Sequence, residues 1–370
     1  MRIGIDARLW NQTGVGRYIR NLVLNLHDID KTNNYILFVR KIDFEEIQKQ
    51  IVNSNWKIVN VNIKWHSLEE QINFPKILEK QKLELIHFPY FSVPVRYKGP
   101  FIVTIHDLIM DHFPSGNAST LPTPFYYLKY LAYKYILKQA AKKAKGIIVP
   151  SFATKDEVVA HLGVNSDKIV VTYEAANDKF SVVNNRQLVI NKKYDKYFLY
   201  VGNAYPHKNL DRLIKAFIEF KDIRPKTENI KLLLVGNKDY FYQKLEQKYI
   251  SDNIIYFGFA SDDDLLNLYK NALAVVQPSL MEGFGLTVLE AMTNKSLVVC
   301  SDIPSLREIA GENALYFEPN NVGEIKKNLD WVVANPKLKE SIVEKAYLHS
   351  QNFSWVTMAT KTLEVYKNAL

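Results

Sequence analysis

Short apolar runs rich in β-branched residues recur along this chain, and longer amphipathic stretches separate most of them. In the first half the runs are "IGIDA", "YILFV", "WKIVNVN", "LIHF", "FIVTIH", "GIIVPS" and "KIVVTY", with helical spacing over 15–27 and 121–145. An apolar run of four to eight residues reads as a strand buried on both faces. Strands joined by helices lie parallel, because each crossover returns the chain to the same end of the sheet. The polar, Asn-rich segment 174–196 breaks the pattern and reads as a linker. The alternation then restarts with "YFLYVGN", "KLLLVGN", "IIYFGF", "ALAVVQPS", "SLVVCSD" and "ALYFEP". The expectation is an α/β chain of two doubly wound, Rossmann-like domains. Two such domains would face each other across a cleft lined by the carboxyl ends of both sheets, where ligands bind in this architecture.

Composition narrows the function. A net charge of +9 suits phosphate-bearing partners, without choosing among nucleotides, nucleic acid and anionic lipid. A single cysteine, Cys300, excludes an intramolecular disulfide and a cysteine-based zinc cluster, and its place after "SLVV" reads as core. No run of about 18 apolar residues exists to span a membrane. The start "MRIGIDARLW" reads as a strand with charges at positions 2, 6 and 8, not as the apolar core of a signal peptide. These features point to a cytoplasmic protein. No nucleic-acid-binding module is recognisable, so nucleic acid is not an expected partner.

The stretch "PSLMEGFGLTVLEAM" (278–292) sets a carboxylate before a glycine-rich turn and another eight residues later. A buried strand precedes it, and Leu286, Leu289 and Met292 have helical core spacing after it. Backbone N–H groups of Phe284, Gly285 and Leu286 would therefore lie at a helix N-terminus, a place that binds anions or sugar hydroxyls. Glu282 and Glu290 can each accept two hydrogen bonds, as the vicinal hydroxyls of a sugar or ribose require. Equally, one glutamate could be a surface residue and the other a carboxylate stabilised by the helix dipole.

"EGFGLTVLEAM" resembles the E-x7-E motif of retaining glycosyltransferases of family 4, which have the two-domain GT-B fold. "VVCSDIPSLREIAGENALYFEPNN" and "LYVGNAYPHKNLDRLIKAF" resemble further segments of that family. "GIDARLWNQTGVGRYIRNL", "TIHDL" and "FSW" are similar to its bacterial polysaccharide and O-antigen mannosyltransferase members. The likeness covers nearly the whole chain. It implies that Glu282 contacts donor-sugar hydroxyls and Glu290 the ribose, with Gly283, Phe284, Gly285, Leu286 and Thr287 around the donor. It also implies an N-terminal acceptor domain (1–175), a donor domain (176–353), and a last helix (354–370) that crosses back onto the first domain.

Other candidates follow along the chain. In "VGNAYPHKN" (201–209), Lys208 in a helical first turn could reach a diphosphate, beside Gly202 and Asn203. Many relatives carry Arg where this chain has Asn203, which leaves Lys208 as the main candidate cation, with Arg212 either a solvated helix charge or a helper. In "NQTGVGRYIRNL", Gly14 and Gly16 lack the third glycine of a dinucleotide fingerprint, since Ile19 stands there, so a nicotinamide site is disfavoured. The resemblance places that loop, with Gly14, Gly16 and Arg17, near the donor phosphates and the acceptor. It places His106 of "FIVTIHDLIMDHFP" beside the donor sugar, with Asp107 as a neighbour. The order of His106, Asp107, Asp111 and His112 matches no standard ligand spacing, and "SDDD" (261–264) reads as a capped helix start. No metal and no cofactor are therefore expected. The helix over 124–146, aromatic and basic through Lys129, Lys134, Lys138, Lys142, Lys143 and Lys145, is either a solvated packing helix or a contact with anionic membrane.

The resulting expectation is a cytoplasmic, retaining hexosyltransferase, with peripheral contact at the inner membrane face as the alternative to a solvated basic helix. The donor would be GDP-mannose, the acceptor a saccharide or lipid-linked saccharide, and the product a surface polysaccharide such as O-antigen. UDP-sugar donors, a GT-B-shaped sugar-nucleotide epimerase and a non-catalytic sugar-nucleotide-binding protein are the alternatives. The oligomeric state is not legible.

Overall fold

A computed structural model describes residues 1–113, 123–176, 194, 196–223 and 229–370; most of the segment 174–196 lies outside the described residues. The chain divides into two compact units, Met1–Glu174 with Ser354–Leu370, and Ala175–Phe353.

Seven strands form the first unit's sheet: β1 (Arg2–Asp6), β2 (Asn34–Val39), β3 (Trp56–Asn60), β4 (Leu85–Phe88), β5 (Phe101–Thr104), β6 (Gly146–Val149) and β7 (Ile169–Val171). All its ladders are parallel, in the order β3-β2-β1-β4-β5-β6-β7. The second unit repeats the plan with β8 (Lys196–Val201), β9 (Ile230–Val235), β10 (Ile254–Gly258), β11 (Ala274–Gln277), β12 (Val298–Ser301) and β13 (Leu315–Phe317). Its order is β10-β9-β8-β11-β12-β13, again parallel. Each sheet reverses its direction of growth once, beside β1 and beside β8. Both sheets are of the doubly wound, Rossmann-like kind.

The second unit shows why its strands are apolar without alternation. Phe198 and Tyr200 of β8 enter a core with Phe217, Leu232 and Val276 on one face of the sheet. Tyr197 and Leu199 enter another with Leu233, Val275 and Met292 on the other. Successive side chains point to opposite faces, and helices cover both, so every position of β8 from Tyr197 to Tyr200 is buried. Cys300 lies in β12 and is fully buried.

The C-terminal helix, Trp355–Asn368, starts at Ser354, whose hydroxyl accepts from the Thr357 amide. It packs on the first unit against the helix Gly14–Ile29. Its polar anchor is Tyr366, whose hydroxyl meets His87 Nδ1 at 2.8 Å, while His87 Nε2 meets Thr104 Oγ1 at 2.8 Å. Hydroxyls can donate or accept, so this pair suits a neutral imidazole. Burial, with a smaller contribution from His106, pushes the His87 pKa down to about 3. Tyr366→Phe should leave one ring nitrogen of this buried histidine without a partner, at a cost of about 1–3 kcal/mol. Faster hydrogen exchange along Trp355–Asn368 and a lower melting midpoint are the expected result. Unchanged exchange would mean that apolar packing alone holds the helix.

Candidate functional site

In the second unit β8 and β11 are neighbours, yet their outgoing chains diverge: one leads through the helix Leu210–Ile223 to β9, the other through the helix Leu286–Thr293 to β12. Such a reversal opens a crevice at the carboxyl ends of the two strands. The loops that leave there carry Lys208 and Glu282.

Lys208 ends a short 3-10 turn, Pro206–Lys208, and is separated from the following helix by Asn209 in the left-handed conformation (φ 61°). It is not in the first turn of that helix, because the left-handed residue breaks the helical run. Asn209 is 3% exposed, and its amide donates to the carbonyls of Pro278 (2.9 Å) and Pro319 (2.7 Å). The Leu280 amide donates to the His207 carbonyl at 2.7 Å. The two loops are thus tied, and Lys208 Nζ reaches both Glu282 oxygens, at 2.7 and 2.9 Å. Glu282 Oε1 also accepts from Gln277 Nε2 and Ser279 Oγ, each at 2.7 Å. Burial pushes the Glu282 pKa up, but the Lys208 charge and the three donors outweigh it and hold the carboxyl below its ordinary value. Burial and the Lys208 charge push the His207 pKa down to about 4, which leaves that ring neutral near pH 7.

The glycine-rich turn follows. Gly285 has φ 108°, and a Cβ there would lie 2.6 Å from Leu306 Cδ2, so only glycine fits. It caps the helix Leu286–Thr293, whose first amides have no intrahelical acceptor. Gly283 is buried, and Phe284 is 5% exposed with its ring edge-on to Phe353 at 6.1 Å, so the Phe284 side chain is a packing group. Leu286 and Thr287 are half-buried, with Thr287 Oγ1 3.5 Å from the Val201 carbonyl. Glu290 lies buried at 3% exposure and accepts the Tyr269 hydroxyl at 2.8 Å.

Gly202 follows β8 with φ 152°, and a Cβ there would meet the Tyr200 hydroxyl at 2.7 Å. Asn203 is exposed; its carbonyl accepts from Tyr200 at 2.6 Å and its side chain from the Tyr205 amide at 3.3 Å. Arg212, open from the sequence to a phosphate-helper role or a solvated helix charge, donates to Asn209 Oδ1 at 2.8 Å and so braces the loop junction. Ser261 and Asp264 form a reciprocal capping box at the start of Asp262–Asn271.

In the first unit, Gly14 and Gly16 open the helix Gly14–Ile29. A Cβ on Gly16 would lie 2.5 Å from the Trp10 carbonyl oxygen, whereas one on Gly14 would meet nothing within 4 Å. Close backbone approach therefore requires only the second glycine. Arg17, on the next turn, is half-buried. Tyr18 from the same helix stands edge-on to His106 at 4.9 Å.

His106 lies two residues beyond β5. Its Nδ1 is 3.2 Å from Glu174 Oε1 and its Nε2 is 3.0 Å from the Pro89 carbonyl oxygen. Both partners only accept, so both ring nitrogens must carry protons to satisfy them. Burial alone would lower the His106 pKa; the Glu174 hydrogen bond and charge, the Pro89 carbonyl and Asp107 together raise it. Asp107 caps the next turn through the Ile109 amide at 3.0 Å. His112 does not join this group, and its Nε2 pairs instead with Glu157 at 2.6 Å.

Several of these residues were not picked out from the sequence. Gln277 is a polar residue ending the apolar run "AVVQ", and Glu174 ends "IVVTYE"; both signals mark the carboxyl end of a strand. Asn209 and Ser279 carry no comparable signal.

A group whose folded pKa is raised stabilises the fold fully below its ordinary pKa, and the contribution fades as pH rises through the raised value. Glu174→Gln should therefore move the His106 titration midpoint, followed by NMR of the ring protons, to lower pH. It should also weaken the first unit at mildly acidic pH and leave its stability at alkaline pH nearly unchanged. A midpoint that does not move would show that Glu174 does not hold the imidazolium.

Comparison with known proteins agrees with this architecture. A family model described as glycosyltransferase family 4 matches residues 12–179, and one described as glycosyl transferases group 1 matches residues 184–349. O-antigen chain mannosyltransferase B of Escherichia coli is 27% identical over 96% of both chains. O-antigen chain mannosyltransferase RfbU of Salmonella typhimurium is 30% identical over 59% of this chain, a match that spans 57% of that protein. Among solved structures, a glycosyltransferase from Rickettsia africae ESF-5 superposes with a TM-score of 0.73 at 20% identity, over 100% of this chain and 98% of that one.

Proposed function

Because the chain belongs to the glycosyltransferases, with a family 4 half followed by a group 1 half, we propose that it transfers a hexosyl group from a nucleoside-diphosphate sugar to a saccharide hydroxyl with retention of configuration. Mannose from GDP-mannose is the proposed donor chemistry, supported by relatives named O-antigen chain mannosyltransferases, one of them matched over 96% of both chains. The proposed acceptor is a saccharide or lipid-linked saccharide in surface-polysaccharide synthesis.

The observation that carries this reading is the pairing of Lys208 with Glu282 at the crevice between β8 and β11. A diphosphate leaving group gains negative charge as the glycosidic bond breaks, and a fixed ammonium stabilises that charge. Glu282 aims Lys208, and its Oε2 accepts from Lys208 alone among the described residues, which leaves capacity for a sugar hydroxyl. Gly285 opens the helix Leu286–Thr293, whose amides would face the donor phosphates. Glu290 would receive the ribose, sharing its carboxylate with Tyr269. In the first unit, Glu174 and the Pro89 carbonyl hold His106 as an imidazolium. In the proposed route the leaving phosphate takes the acceptor proton, and the protein contributes position and charge.

Membrane contact belongs to the same proposal. Among the described residues no helix is long and apolar enough to cross a membrane. The helix Thr123–Lys143 instead exposes Tyr127 (57%), Leu128 (66%), Leu131 (63%) and Tyr135 (57%) beside the exposed Lys129, Lys134, Lys138 and Lys142. Apolar side chains interleaved with cations suit an anionic bilayer surface. Flotation with anionic vesicles should be lost as salt rises, and vesicles without anionic lipid should not carry the protein.

A thermal-shift screen with GDP, UDP and their sugars tests the donor, with stabilisation by GDP-mannose expected. Stabilisation by a UDP-sugar alone would move the reading to that donor class. A nucleotide-sugar converted in the absence of acceptor would replace transfer by epimerisation. Lys208→Ala should lower single-turnover transfer by roughly a hundredfold or more. Glu282→Ala should lower turnover too. The double variant should fall little below the worse single one, since the two groups act as one unit. Additive losses would show that they act separately.

A further inference from the structure

The helix Phe152–Leu162 is fixed at both ends. Ser151 accepts the Thr154 amide at 3.0 Å at its start, and Gly163 closes it in the left-handed conformation (φ 63°). Residues four apart on such a helix share a face, so Glu157 and His161 stand side by side. The short helix Ile109–His112, which follows the His106 loop, brings His112 to the same place. His112 Nε2 lies 2.6 Å from Glu157 Oε2, and His161 Nδ1 lies 3.3 Å from that same oxygen. One potential ligand atom from each residue falls within 4.8 Å of the other two.

From this convergence we propose that His112, Glu157 and His161 form a binding site for a divalent transition-metal ion of the zinc class. Two imidazoles and a carboxylate are the donor set that borderline ions of this class prefer, and calcium or magnesium, which favour all-oxygen shells, are excluded by it. Ligand bonds of about 2.0–2.1 Å in a tetrahedral shell place ligand atoms about 3.3 Å apart. The Glu157–His161 separation already has that value, and the Glu157–His112 separation needs to widen by less than 1 Å. Coordination through His161 Nδ1 replaces its present contact with the Glu157 carbonyl at 3.0 Å. The three side chains are each about one-third exposed, at 34%, 34% and 39%, so water can enter to complete the shell. Two imidazoles converge from separate helices on one carboxylate oxygen. Each imidazole can donate its own N–H to that oxygen, and a dication would take both ring nitrogens and the carboxylate as ligands in place of those hydrogen bonds.

The ion would pin the segment that follows β5, which carries His106 and Asp107, to the helix Phe152–Leu162. Its role is that of a clamp within the first unit, separate from the Lys208–Glu282 chemistry, so sugar transfer should persist without it.

Full-length protein stripped with a chelator and titrated with Co²⁺ tests the proposal. One equivalent should produce the visible absorption of a four- or five-coordinate cobalt site with imidazole ligands, and Zn²⁺ should displace it. Zn²⁺ should also raise the melting midpoint. His112→Ala, Glu157→Gln and His161→Ala should each weaken binding by roughly tenfold or more and abolish the Zn²⁺-dependent rise in midpoint. Because the three positions are partly exposed, the metal-free variants should melt near the wild-type temperature, which separates lost ligation from lost folding. An absence of cobalt absorption at millimolar ion would overturn the proposal. So would absorption and a Zn²⁺-dependent midpoint that survive in the triple variant, since the ion would then sit elsewhere.

Discussion

Asn209 ties together three loops that leave the second unit's sheet. Its side-chain amide has two N–H groups, and each meets a carbonyl that no ladder satisfies, one following β11 and one following β13. A left-handed backbone is needed to aim the side chain inward, and asparagine tolerates that conformation better than any other residue with a side chain. Arg212 holds the remaining amide oxygen, so the group is fully engaged. Lys208 is the next residue back along the chain, and its reach to Glu282 depends on this junction. Aspartate at 209 would present carbonyls with an acceptor in place of a donor. Alanine would leave two buried carbonyls unpaired. Either change would loosen the Lys208–Glu282 pair without touching it.

That pair sits where strand order makes a crevice unavoidable. Two half-buried charges are costly unless each is well paired, and Glu282 meets this condition with Lys208, Ser279 and Gln277. Gln277 Oε1, in contrast, is buried without a hydrogen-bond partner among the described residues. The amide is therefore oriented by what Glu282 needs, at a cost to its own oxygen. Such an arrangement keeps a carboxylate ionised where burial alone would favour the neutral acid.

The first unit uses two histidines in opposite charge states, and their partners account for the difference. His87 lies between two hydroxyls, which suit a neutral ring. His106 lies between a carboxylate and a carbonyl, which suit a charged one. Thr104 Oγ1 links His87 to Tyr18 at 3.1 Å, and Tyr18 stands edge-on to both imidazoles. Hydrogen bonds from Tyr366 through His87 and Thr104 to Tyr18, and the edge-on contact of Tyr18 with His106, thus join the C-terminal helix to the His106 loop. The charge on His106 helps keep His87 neutral.

Much of this was legible in the residues themselves. Strand and helix positions follow from local periodicity, because burial on two faces forces continuous apolar runs and burial on one forces helical spacing. The Ser261 cap and the turn at Gly285 are likewise written within a few residues. The resemblance carried by "EGFGLTVLEAM" singled out Glu282 and Glu290 and suggested what they bind, but could not say what holds them. Pairings across many residues were beyond reach: Lys208 with Glu282, His106 with Glu174, His112 with Glu157, and Asn209 with Pro278 and Pro319. A side chain's partner is set by which strand ends adjoin and by the distance between their loops, and local sequence encodes neither. His112 is near His106 along the chain, in an order that matches no ligand spacing, and only the folded chain brings it to Glu157 on the helix Phe152–Leu162.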